Sequence, residues 1–407
     1  MATTLAAHAD EVEDTIDGIT YVADDEDLAG GATVAEFDEE QSPTTDIEIP
    51  GEVEIDGETY RVTSIAPWTF ADTNVTSVTF NGAIGTIGES AFSRTELAEV
   101  AFPDVVGTIG QSAFQDNQLT EVTFPGTVHR VGSSAFADGE VADVTFRGAV
   151  GDIGRDAFTR GPLSEVTFPE SVGDIGPAAF GQGQLSEVTF PGDVGDIGNS
   201  AFANNELTKL TFAGNVTNID DAAFRSNGEL TEVTFPESVG DIGDSAFAHN
   251  NLYKVSFGGT VGDIGRNAFA ENNLRDVNFQ DAPPTDVVPA GEHGSFGPIQ
   301  DVTVSYGCGF DEALYEGGFT APIWAGYGSE VTGAPFRVSY DLRGIGGSIR
   351  DGIVECARSV TEPGEPTEPG WEFTGWYVDE QLTEEYDFDD PVSEDLTLYA
   401  GWESAPQ

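Results

Sequence analysis

Polar side chains that recur at one fixed spacing are the residues of this sequence best placed to bind a ligand. Each lies in a short segment that alternates polar and apolar residues, as in Glu121-Val122-Thr123-Phe124, which predicts a β-strand with one solvent-facing side. The first set comprises Ser77, Glu99, Glu121, Asp143, Glu165, Glu187, Lys209, Glu232, Lys254 and Asp276. The second set, two residues further on, comprises Thr79, Ala101, Thr123, Thr145, Thr167, Thr189, Thr211, Thr234, Ser256 and Asn278. Strands stacked at about 4.8 Å would turn both sets into continuous columns on a concave face.

Carboxylates and hydroxyls in such columns could bind a sugar, a cation or a protein, so we take part of both columns as the candidate binding surface. Its residues are Glu99, Glu121, Thr123, Asp143, Thr145, Glu165, Thr167, Glu187 and Thr189. Aromatic side chains, the usual anchors of protein hot spots, are missing from these columns. The alternative is a solvated strand face of β-forming residues and acids that binds nothing.

A further column of carboxylates comes from repeated Gly-Asp-Ile-Gly segments. Its members are Asp152, Asp174, Asp196, Asp241 and Asp263. Stacked carboxylates could collect Ca²⁺, which takes about six to eight oxygen ligands. The same position holds Thr86, Thr108, Arg130 and Asn218 in other copies, so the sequence favours solvated turn aspartates over a calcium site. Weak surface cation binding is the alternative, and we assign no metal site and no cofactor.

The remaining residues that could take part in catalysis form no recognisable catalytic motif. The four histidines, His8, His129, His249 and His293, share no motif with a serine or a cysteine. Pairs of acids carry no information in a chain with 73 aspartates and glutamates, and the glycines follow a repeat instead of forming a phosphate loop. We therefore expect a protein that is not an enzyme.

Two cysteines and two asparagines are candidates for covalent modification. Cys308 and Cys356 lie in different predicted units, so they form either a disulfide between these units or two separate thiols. Asn74 and Asn215 open Asn-Val-Thr segments that match the N-glycosylation pattern. Glycosylation requires that the chain is exported.

A unit of 22 residues repeats ten times between Arg61 and Phe279 and must position all these columns. The first phenylalanine of each unit falls at Phe70, Phe92, Phe114, Phe136, Phe158, Phe180, Phe202, Phe224, Phe247 and Phe269, with a single step of 23 residues. A fixed period in this range predicts a solenoid, which presents a long regular surface and needs capped ends. We therefore expect a binding or scaffolding protein.

Each unit predicts one short strand followed by a tight or one-turn helical segment. The strand ends at a second phenylalanine, such as Phe124, and an Ala-Phe pair, such as Ala113-Phe114, marks the helical turn. Three residues after the first phenylalanine stands an asparagine or a glycine, as at Asn117, Asn205 and Gly139. Both residue types tolerate positive φ, so we expect a left-handed residue there. The predicted fold class is mainly β with short helical turns.

The unit LxxVxFPxxVxxIGxxAFxxN resembles the BspA-like leucine-rich repeats of bacterial and archaeal surface proteins. The resemblance implies a leucine-rich repeat solenoid that begins with a capping hairpin, which we place at residues 16–60. The alternating segment Ile19–Val22 and the Asp56-Gly57 turn signal fit such a cap. Residues 1–15 are expected to be a flexible N-terminus, and residues 61–279 form the ten repeats.

The period ends after Phe279. Residues 280–335 predict an atypical closing repeat, in which Ser295-Phe296 replaces Ala-Phe, Val302–Val304 is the strand and Asp311–Glu316 is a short helix. Residues 336–403 contain FxGWYxDxxxxxxYDF and end on TLYAGW. This segment resembles the Listeria–Bacteroides repeat, or internalin B-repeat, which implies a small β-grasp-like module of secreted or wall-attached proteins, followed by a tail at 404–407.

Charge excludes several partner classes. Fifteen basic residues face 73 acidic ones, a net charge of −58, which would repel nucleic acid and anionic membranes. The acids are spread along the chain and only two lysines occur, which favours adaptation of the whole surface to molar salt, as in halophilic proteins. A functional acidic surface for cations or a basic partner is the alternative.

The expected function is a non-enzymatic, cell-surface or secreted binding or adhesion protein whose partner is a protein or a glycan. No apolar run is long enough to insert in a membrane, and a monomer is expected. The N-terminus lacks a basic region and an apolar core, although Ala7-His8-Ala9 has the form of a signal cleavage site. The alternative is therefore an intracellular scaffold in the cytoplasm.

Overall fold

The computed structural model of the protein describes residues 11–24, 30–42, 44–280, 284, 287–288, 293–297, 303–306, 323–324, 327–331, 336–345, 347–354, 359–390, 392 and 395–405. The chain divides into two compact units, Met1–Arg275 with Pro284–Gln300, and Asp276–Pro283 with Asp301–Gln407. The described residues form strands and hydrogen-bonded turns, and none of them is helical. The segments expected as short helical turns are tight turns instead.

The strands follow one another through both units and are short inside the repeats. In chain order they are β1 (Glu11–Ile16), β2 (Ile19–Asp24), β3 (Ala32–Phe37), β4 (Asp46–Ile49), β5 (Glu52–Ile55), β6 (Glu58–Ile65), β7 (Ser77–Phe80), β8 (Ile84–Ile87), β9 (Glu99–Ala101), β10 (Val105–Ile109), β11 (Glu121–Phe124), β12 (Thr127–Val131), β13 (Asp143–Phe146), β14 (Val150–Ile153), β15 (Glu165–Thr167), β16 (Glu187–Phe190), β17 (Val194–Ile197), β18 (Lys209–Phe212), β19 (Val216–Ile219), β20 (Glu232–Phe235), β21 (Lys254–Phe257), β22 (Asp276–Phe279), β23 (Thr303–Tyr306), β24 (Ile323–Trp324), β25 (Tyr327–Val331), β26 (Phe336–Asp341), β27 (Gly352–Val354), β28 (Trp371–Tyr377) and β29 (Leu396–Ser404).

The N-terminal cap supplies a strand to each of two ladders that run along the solenoid. β1, β2 and β3 form an antiparallel meander, and β3 pairs in parallel with β6. β4 pairs in parallel with β7, and Asp56 and Gly57, both with positive φ, turn the chain between β5 and β6. The hairpin turn expected at these two residues is confirmed. β1 begins at Glu11, inside the segment expected to be flexible.

The repeats stack through two parallel ladders instead of one. The predicted strands stack as β4-β7-β9, β11-β13-β15, β16-β18 and β20-β21. The second ladder contains β6, β8, β10, β12 and β14, and continues through β17, β19 and bridges such as Val172 to Val194. The second ladder was not predicted from the sequence. Its strands bury two residues that are three positions apart, as Ile84 and Ile87 are, so they lack the alternation with a period of two that indicates a strand.

The third side of each coil is a turn that contains two left-handed residues. They lie two positions before and two positions after the first phenylalanine. Those before are Trp68, Ser90, Ser112, Ser134, Asp156, Ala178, Ser200, Ala222, Ser245 and Asn267, and those after are Asp72, Arg94, Asp116, Asp138, Arg160, Gln182, Asn204, Ser226, His249 and Glu271. Positive φ at both sites interrupts helical geometry, which explains why the turn is not a helix.

The predicted left-handed position was wrong by one residue. Asn117, Asn205 and Gly139 are absent from the residues with positive φ, whereas the residue before each of them, such as Asn204 at 57°, has it. Asn205 instead buries its amide between coils. Its Nδ2 donates to the carbonyls of Phe180 (2.8 Å) and Phe202 (3.1 Å), and its Oδ1 accepts from the N–H of Leu185 (3.1 Å).

The other asparagines at this position repeat the arrangement and form an asparagine ladder. The amides of Asn227, Asn250 and Asn272 each donate to the phenylalanine carbonyls of their own and the preceding coil. Each Oδ1 accepts a backbone N–H, from Leu207, Asn227 and Leu252 respectively. Buried backbone groups must find partners, so hydrogen bonding rather than backbone conformation accounts for these asparagines.

The core consists of two columns of stacked phenylalanine rings. The first phenylalanines stack face to face, as Phe92 does on Phe114 at 5.2 Å, and the second column contains pairs such as Phe124 and Phe146 at 5.1 Å. The two columns meet edge to face, as Phe124 and Phe136 do at 6.2 Å and 76°. Apolar area and aromatic geometry both stabilise this packing. The expected replacement of Ala-Phe by Ser295-Phe296 is confirmed, because Phe296 stacks on Phe269 at 5.4 Å.

In the second unit, four strands pair in the order β22-β23-β25-β24, and β24 is antiparallel to β25. The strand expected near Thr303 is therefore confirmed as β23. The helix expected at 311–316, Cys308 and Cys356 lie outside the described residues.

The C-terminal module is a mixed sheet in the order β27-β26-β29-β28, with a parallel central pair. The motif residues supply its core, in which Trp376 is 2% exposed and contacts Tyr340 and Phe373 at ring distances of 5.0 and 5.4 Å. Arg343 and Gly344 both have positive φ in the turn that follows β26. The small β module expected for this segment is confirmed, and its described residues contain no helix.

Candidate functional site

The structure places the candidate binding residues in register within three separate stretches of the strand ladder. Glu121 lies opposite Asp143, which lies opposite Glu165, and Thr123, Thr145 and Thr167 pair in the same way. We call the first set, from Ser77 to Asp276, the strand column and the second set, from Thr79 to Asn278, the threonine column. The cap extends the strand column by one step, because Asp46 lies opposite Ser77 and accepts a hydrogen bond from its hydroxyl at 2.9 Å.

Most side chains of the strand column face solvent. Glu99, Glu121, Glu165 and Glu187 are exposed, and Asp143 is half-buried. Thr123 donates to Glu121 at 3.2 Å, whereas the Oδ1 atom of Asp143 is buried without a hydrogen-bond partner. Opposed carboxylates repel one another across a ladder, so Glu121, Asp143 and Glu165 form the most electronegative stretch of this face.

The two lysines change the second half of the strand column. Lys209 lies opposite Glu187, and their Nζ and Oε2 atoms are 3.5 Å apart. Lys254 lies opposite Glu232. Charges therefore alternate in sign from Glu187 onwards, while the positions from Glu99 to Glu165 are all acidic.

The strand ladder is interrupted between β9 and β11, between β15 and β16, and between β18 and β20. The extra residue of the 23-residue step lies just before β20, where Gly228 is exposed. An open depression of about 430 Å³ lies at the interruption between β15 and β16 and is lined by Ser164, Glu165, Thr167, Ser186, Glu187 and Thr189 among others. A second depression, of about 380 Å³, lies at the next interruption and includes Lys209, Thr211, Glu232 and Thr234. The strand and threonine columns supply four of the nine lining residues of each depression.

The aspartate column of the Gly-Asp-Ile-Gly segments is part of the second ladder. There Thr108 lies opposite Arg130, which lies opposite Asp152. The Oδ1 of Asp174 accepts the backbone N–H of Asp196 in the next coil at 2.9 Å, and Asp241 accepts that of Asp263 at 2.9 Å. Asn218 fills the same role for Asp241 at 3.0 Å. These carboxylates join neighbouring coils.

The glycines before Asp196 and Asp263 make room for the same contact. A Cβ at Gly195 would overlap the Oδ1 of Asp174, and one at Gly262 would overlap that of Asp241. The side chain of one coil crosses the next coil at the glycine to reach the N–H beyond it. The repeated glycines thus serve the aspartate column rather than a ligand.

Other candidate residues remain apart from these columns. Within the described ranges, no group of three or more histidine, cysteine, aspartate or glutamate side chains could hold a metal ion. His129 and His249 are exposed on different sides of their coils. Asn74 is exposed, and the exposed Asn215 donates to Asp193 at 3.1 Å. The geometry brings together the strand and threonine columns but neither the histidines nor the two glycosylation motifs.

Two acids outside the strand face, Asp220 and Asp72, have shifted pKa values. Burial raises the pKa of Asp220, and the charges of Asp196 and Asp221 raise it further. On the turn side, a hydrogen bond from Arg94 lowers the pKa of Asp72. Neither group lies on the strand face, so neither contributes to the candidate surface.

Comparison with known families matches most of this architecture. The model of the BspA type leucine-rich repeat region matches residues 52–161 and 151–275, and that of the Listeria–Bacteroides repeat domain matches residues 336–401. A protein of Evansella cellulosilytica named as a presumed Gly-rich membrane protein is 46% identical over 69 residues, which are 17% of this chain and 8% of that protein. The chain thus spans under a tenth of that relative. None of the described residues forms a helix long and apolar enough to cross a membrane.

Two solved structures show a partial likeness. A leucine-rich repeat protein of Bacteroides capillosus is 28% identical, with 28% of this chain and 81% of that chain covered and a TM-score of 0.25. A leucine-rich cell surface protein of Faecalibacterium prausnitzii is 18% identical, with 72% and 94% covered and a TM-score of 0.32. With two matches that together cover more than half of the sequence, this chain belongs to the BspA type leucine-rich repeat family.

Proposed function

We propose that this protein is a non-enzymatic binding or adhesion protein that acts at the cell surface and recognises a protein or a glycan through the strand and threonine columns. The observation that carries the proposal is the register of these columns, in which one polar side chain per coil lies opposite its counterpart. A partner with its own regular spacing could contact many coils at once, so weak contacts would add. Both matched repeat types are typical of surface proteins, which supports this location.

The acidic half of the strand column sets the expected partner chemistry. Glu121, Asp143 and Glu165 form a row without a cation opposite any of them. A basic protein surface is attracted by such a row, and the attraction mainly speeds association. A polyhydroxylated glycan would use the hydroxyls of the threonine column and the depressions at the ladder interruptions.

The carboxylates outside the strand column contribute to the negative charge of the whole protein surface. The net charge of −58 is spread along both units, and we propose that it adapts a monomeric protein to molar salt. Under such conditions the Debye length is about 3 Å, so neighbouring acids hardly repel one another. Short-range hydrogen bonds of the columns then matter more for recognition than long-range attraction.

A binding screen in about 1 M salt tests the proposal, with a panel of glycans and purified surface proteins as probes. The test variant combines Glu121→Gln, Glu165→Gln and Glu187→Gln, which keeps side-chain shape and removes three charges. The control combines Asp152→Asn, Asp174→Asn and Asp196→Asn, which removes three charges while keeping an oxygen acceptor, as Asn218 does naturally.

Loss of binding in the glutamate variant alone supports the strand face. Equal loss in both variants would indicate bulk charge, and loss only in the aspartate variant would move the site to the second ladder. Recovery of the chain from the cytosol rather than from a washed cell envelope would favour an intracellular scaffold instead.

A further inference from the structure

One exposed aromatic side chain departs from the pattern of the turn side. Trp68 has a φ of 64° and its side chain is 51% exposed. The equivalent position of the nine other coils holds a serine, alanine, aspartate or asparagine. A bulky residue at positive φ is costly, and the small or polar residues of the other coils adopt the same φ without an indole. The turn itself therefore does not require a tryptophan at this position.

Two charged residues hold the indole in place. The guanidinium carbon of Arg94 lies 5.9 Å from the centroid of the Trp68 ring, within the range of a cation–π contact. Arg94 in turn donates through Nε and Nη2 to the two carboxylate oxygens of Asp72, at 2.7 and 2.6 Å. Such a paired arrangement orients a guanidinium strongly, so the ring, the cation and the acid form one ordered cluster.

The backbone beneath the cluster is fixed as well. The N–H of Trp68 donates to Glu89 at 2.9 Å, and that of Asp72 donates to Ser93 at 3.0 Å. Both bonds join the first coil to the second. The cluster therefore stands on a rigid part of the array, which lowers the entropy cost of binding.

The surroundings indicate what such a surface would bind. Protein hot spots centre on well-packed, desolvated pockets, whereas Trp68 stands among the exposed residues Asp72, Glu89 and Arg94. A sugar ring offers one small apolar face with hydroxyls around its edge, which matches an isolated indole with a carboxylate and a guanidinium beside it. The net charge of −58 disfavours an anionic polymer.

We propose that Trp68, Arg94 and Asp72 form a binding site for a neutral carbohydrate chain. A pyranose ring packs against the exposed part of the indole beside Arg94, and its hydroxyls exchange hydrogen bonds with the Asp72 carboxylate and the Arg94 guanidinium. The site lies on the turn side of the first two coils and is independent of the strand and threonine columns.

Saturation-transfer NMR and titration in about 1 M salt test the site, with neutral hexasaccharides of glucose, mannose and N-acetylglucosamine as probes. We expect one of them to bind the wild type, and Trp68→Ser, which installs the residue of the next three coils, to lose at least about tenfold in affinity. Trp68→Tyr should retain most of the affinity. Trp371→Ser removes another half-exposed tryptophan, in the C-terminal module, and should change nothing.

Thermal unfolding of Trp68→Ser separates binding from a structural role. The proposal expects a melting temperature no lower than that of the wild type. A lower melting temperature would assign Trp68 to holding the first coil and would overturn the proposal. So would the absence of binding by all three sugars, undiminished binding by Trp68→Ser, or Trp68-dependent binding of gelatin without any sugar binding.

Discussion

The two acidic columns of the array use the same chemistry in opposite ways. In the strand column, Glu121 and Glu165 extend into solvent on either side of Asp143. In the aspartate column, the carboxylates of Asp174 and Asp241 accept backbone N–H groups of the following coil. The carboxylates of the strand column are therefore available to a partner, whereas those of the aspartate column are hydrogen-bonded within the fold.

The difference comes from side-chain length and from the backbone that each carboxylate faces. The short aspartate side chain crosses a glycine of the next coil and reaches the N–H beyond it, as Asp174 does at Gly195. A glutamate of the strand column projects from a strand whose N–H groups belong to the ladder. An acid that recurs with every coil thus indicates function only if the stacked backbone leaves it free.

The largest effect is expected from salt, which acts on both columns at once. Lowering the salt from about 3 M to about 0.05 M lengthens the Debye length severalfold, so opposed acids such as Glu121 and Asp143 repel each other and destabilise the fold by several kcal/mol in total. Thermal unfolding followed by far-UV circular dichroism measures this loss. Equal melting temperatures at both concentrations would contradict the proposed adaptation to molar salt.

A buried side-chain amide should matter more for stability than any exposed acid. Asn205→Ala removes three buried hydrogen bonds, to Phe180, Phe202 and Leu185, and is expected to lower the free energy of unfolding by about 2–4 kcal/mol. Denaturant titration measures the change.

The neighbouring left-handed residue provides the control. Asn204→Gly suits a φ of 57° and should change stability by less than about 1 kcal/mol. If Asn205 tolerated glycine as well as Asn204 does, the asparagine ladder would not be a stabilising element.

Within the aspartate column, the acceptor atom should matter rather than the charge. Asp174→Ala removes the partner of the Asp196 N–H and should destabilise by about 0.5–1.5 kcal/mol, whereas Asp174→Asn keeps an oxygen there. Denaturant titration in about 1 M salt compares both variants. Equal stability of the two variants would show that the coil-to-coil bond contributes nothing.

The smallest effect is expected in the strand column. Glu165→Gln removes one like-charge pair with Asp143 and should raise stability at low salt by about 0.2–1 kcal/mol, with no change in about 3 M salt. Glu187→Gln is the matched control, because Glu187 lies 3.5 Å from Lys209 and loses an attractive partner. A gain from both variants would mean that total charge, and not register, governs the column.

The sequence predicted the elements whose signal is local. Alternation in Glu121-Val122-Thr123-Phe124 located β11, the Asp56-Gly57 pair located the hairpin, and the FxGWYxD motif located the C-terminal module. The second ladder and the role of the asparagines were not predicted, because several structures are compatible with the same local sequence pattern. The Val-x-x-Ile spacing does not alternate, and asparagine suits both a left-handed turn and a buried amide.

The candidate site was predicted in part. Periodicity alone placed Glu121, Asp143 and Glu165 in one column, and the ladder register agrees. The interruption between β15 and β16 could not be predicted, since Leu163 and Leu185 begin nearly identical strand segments. The Trp68 cluster was also missed, although a tryptophan at a position that otherwise holds small or polar residues was a visible signal.

The amino-acid sequence by itself determined the period, the stacked phenylalanine core and the excess of negative charge, because each depends on residue type and spacing along one chain. Only the tertiary structure decided which acids remain free. Asp174 and Glu165 recur with the same spacing of 22 residues as their neighbours, yet one meets a backbone N–H of the next coil and the other meets solvent. That outcome depends on how coils lie against one another, and the contacts that decide it join residues about one full repeat apart.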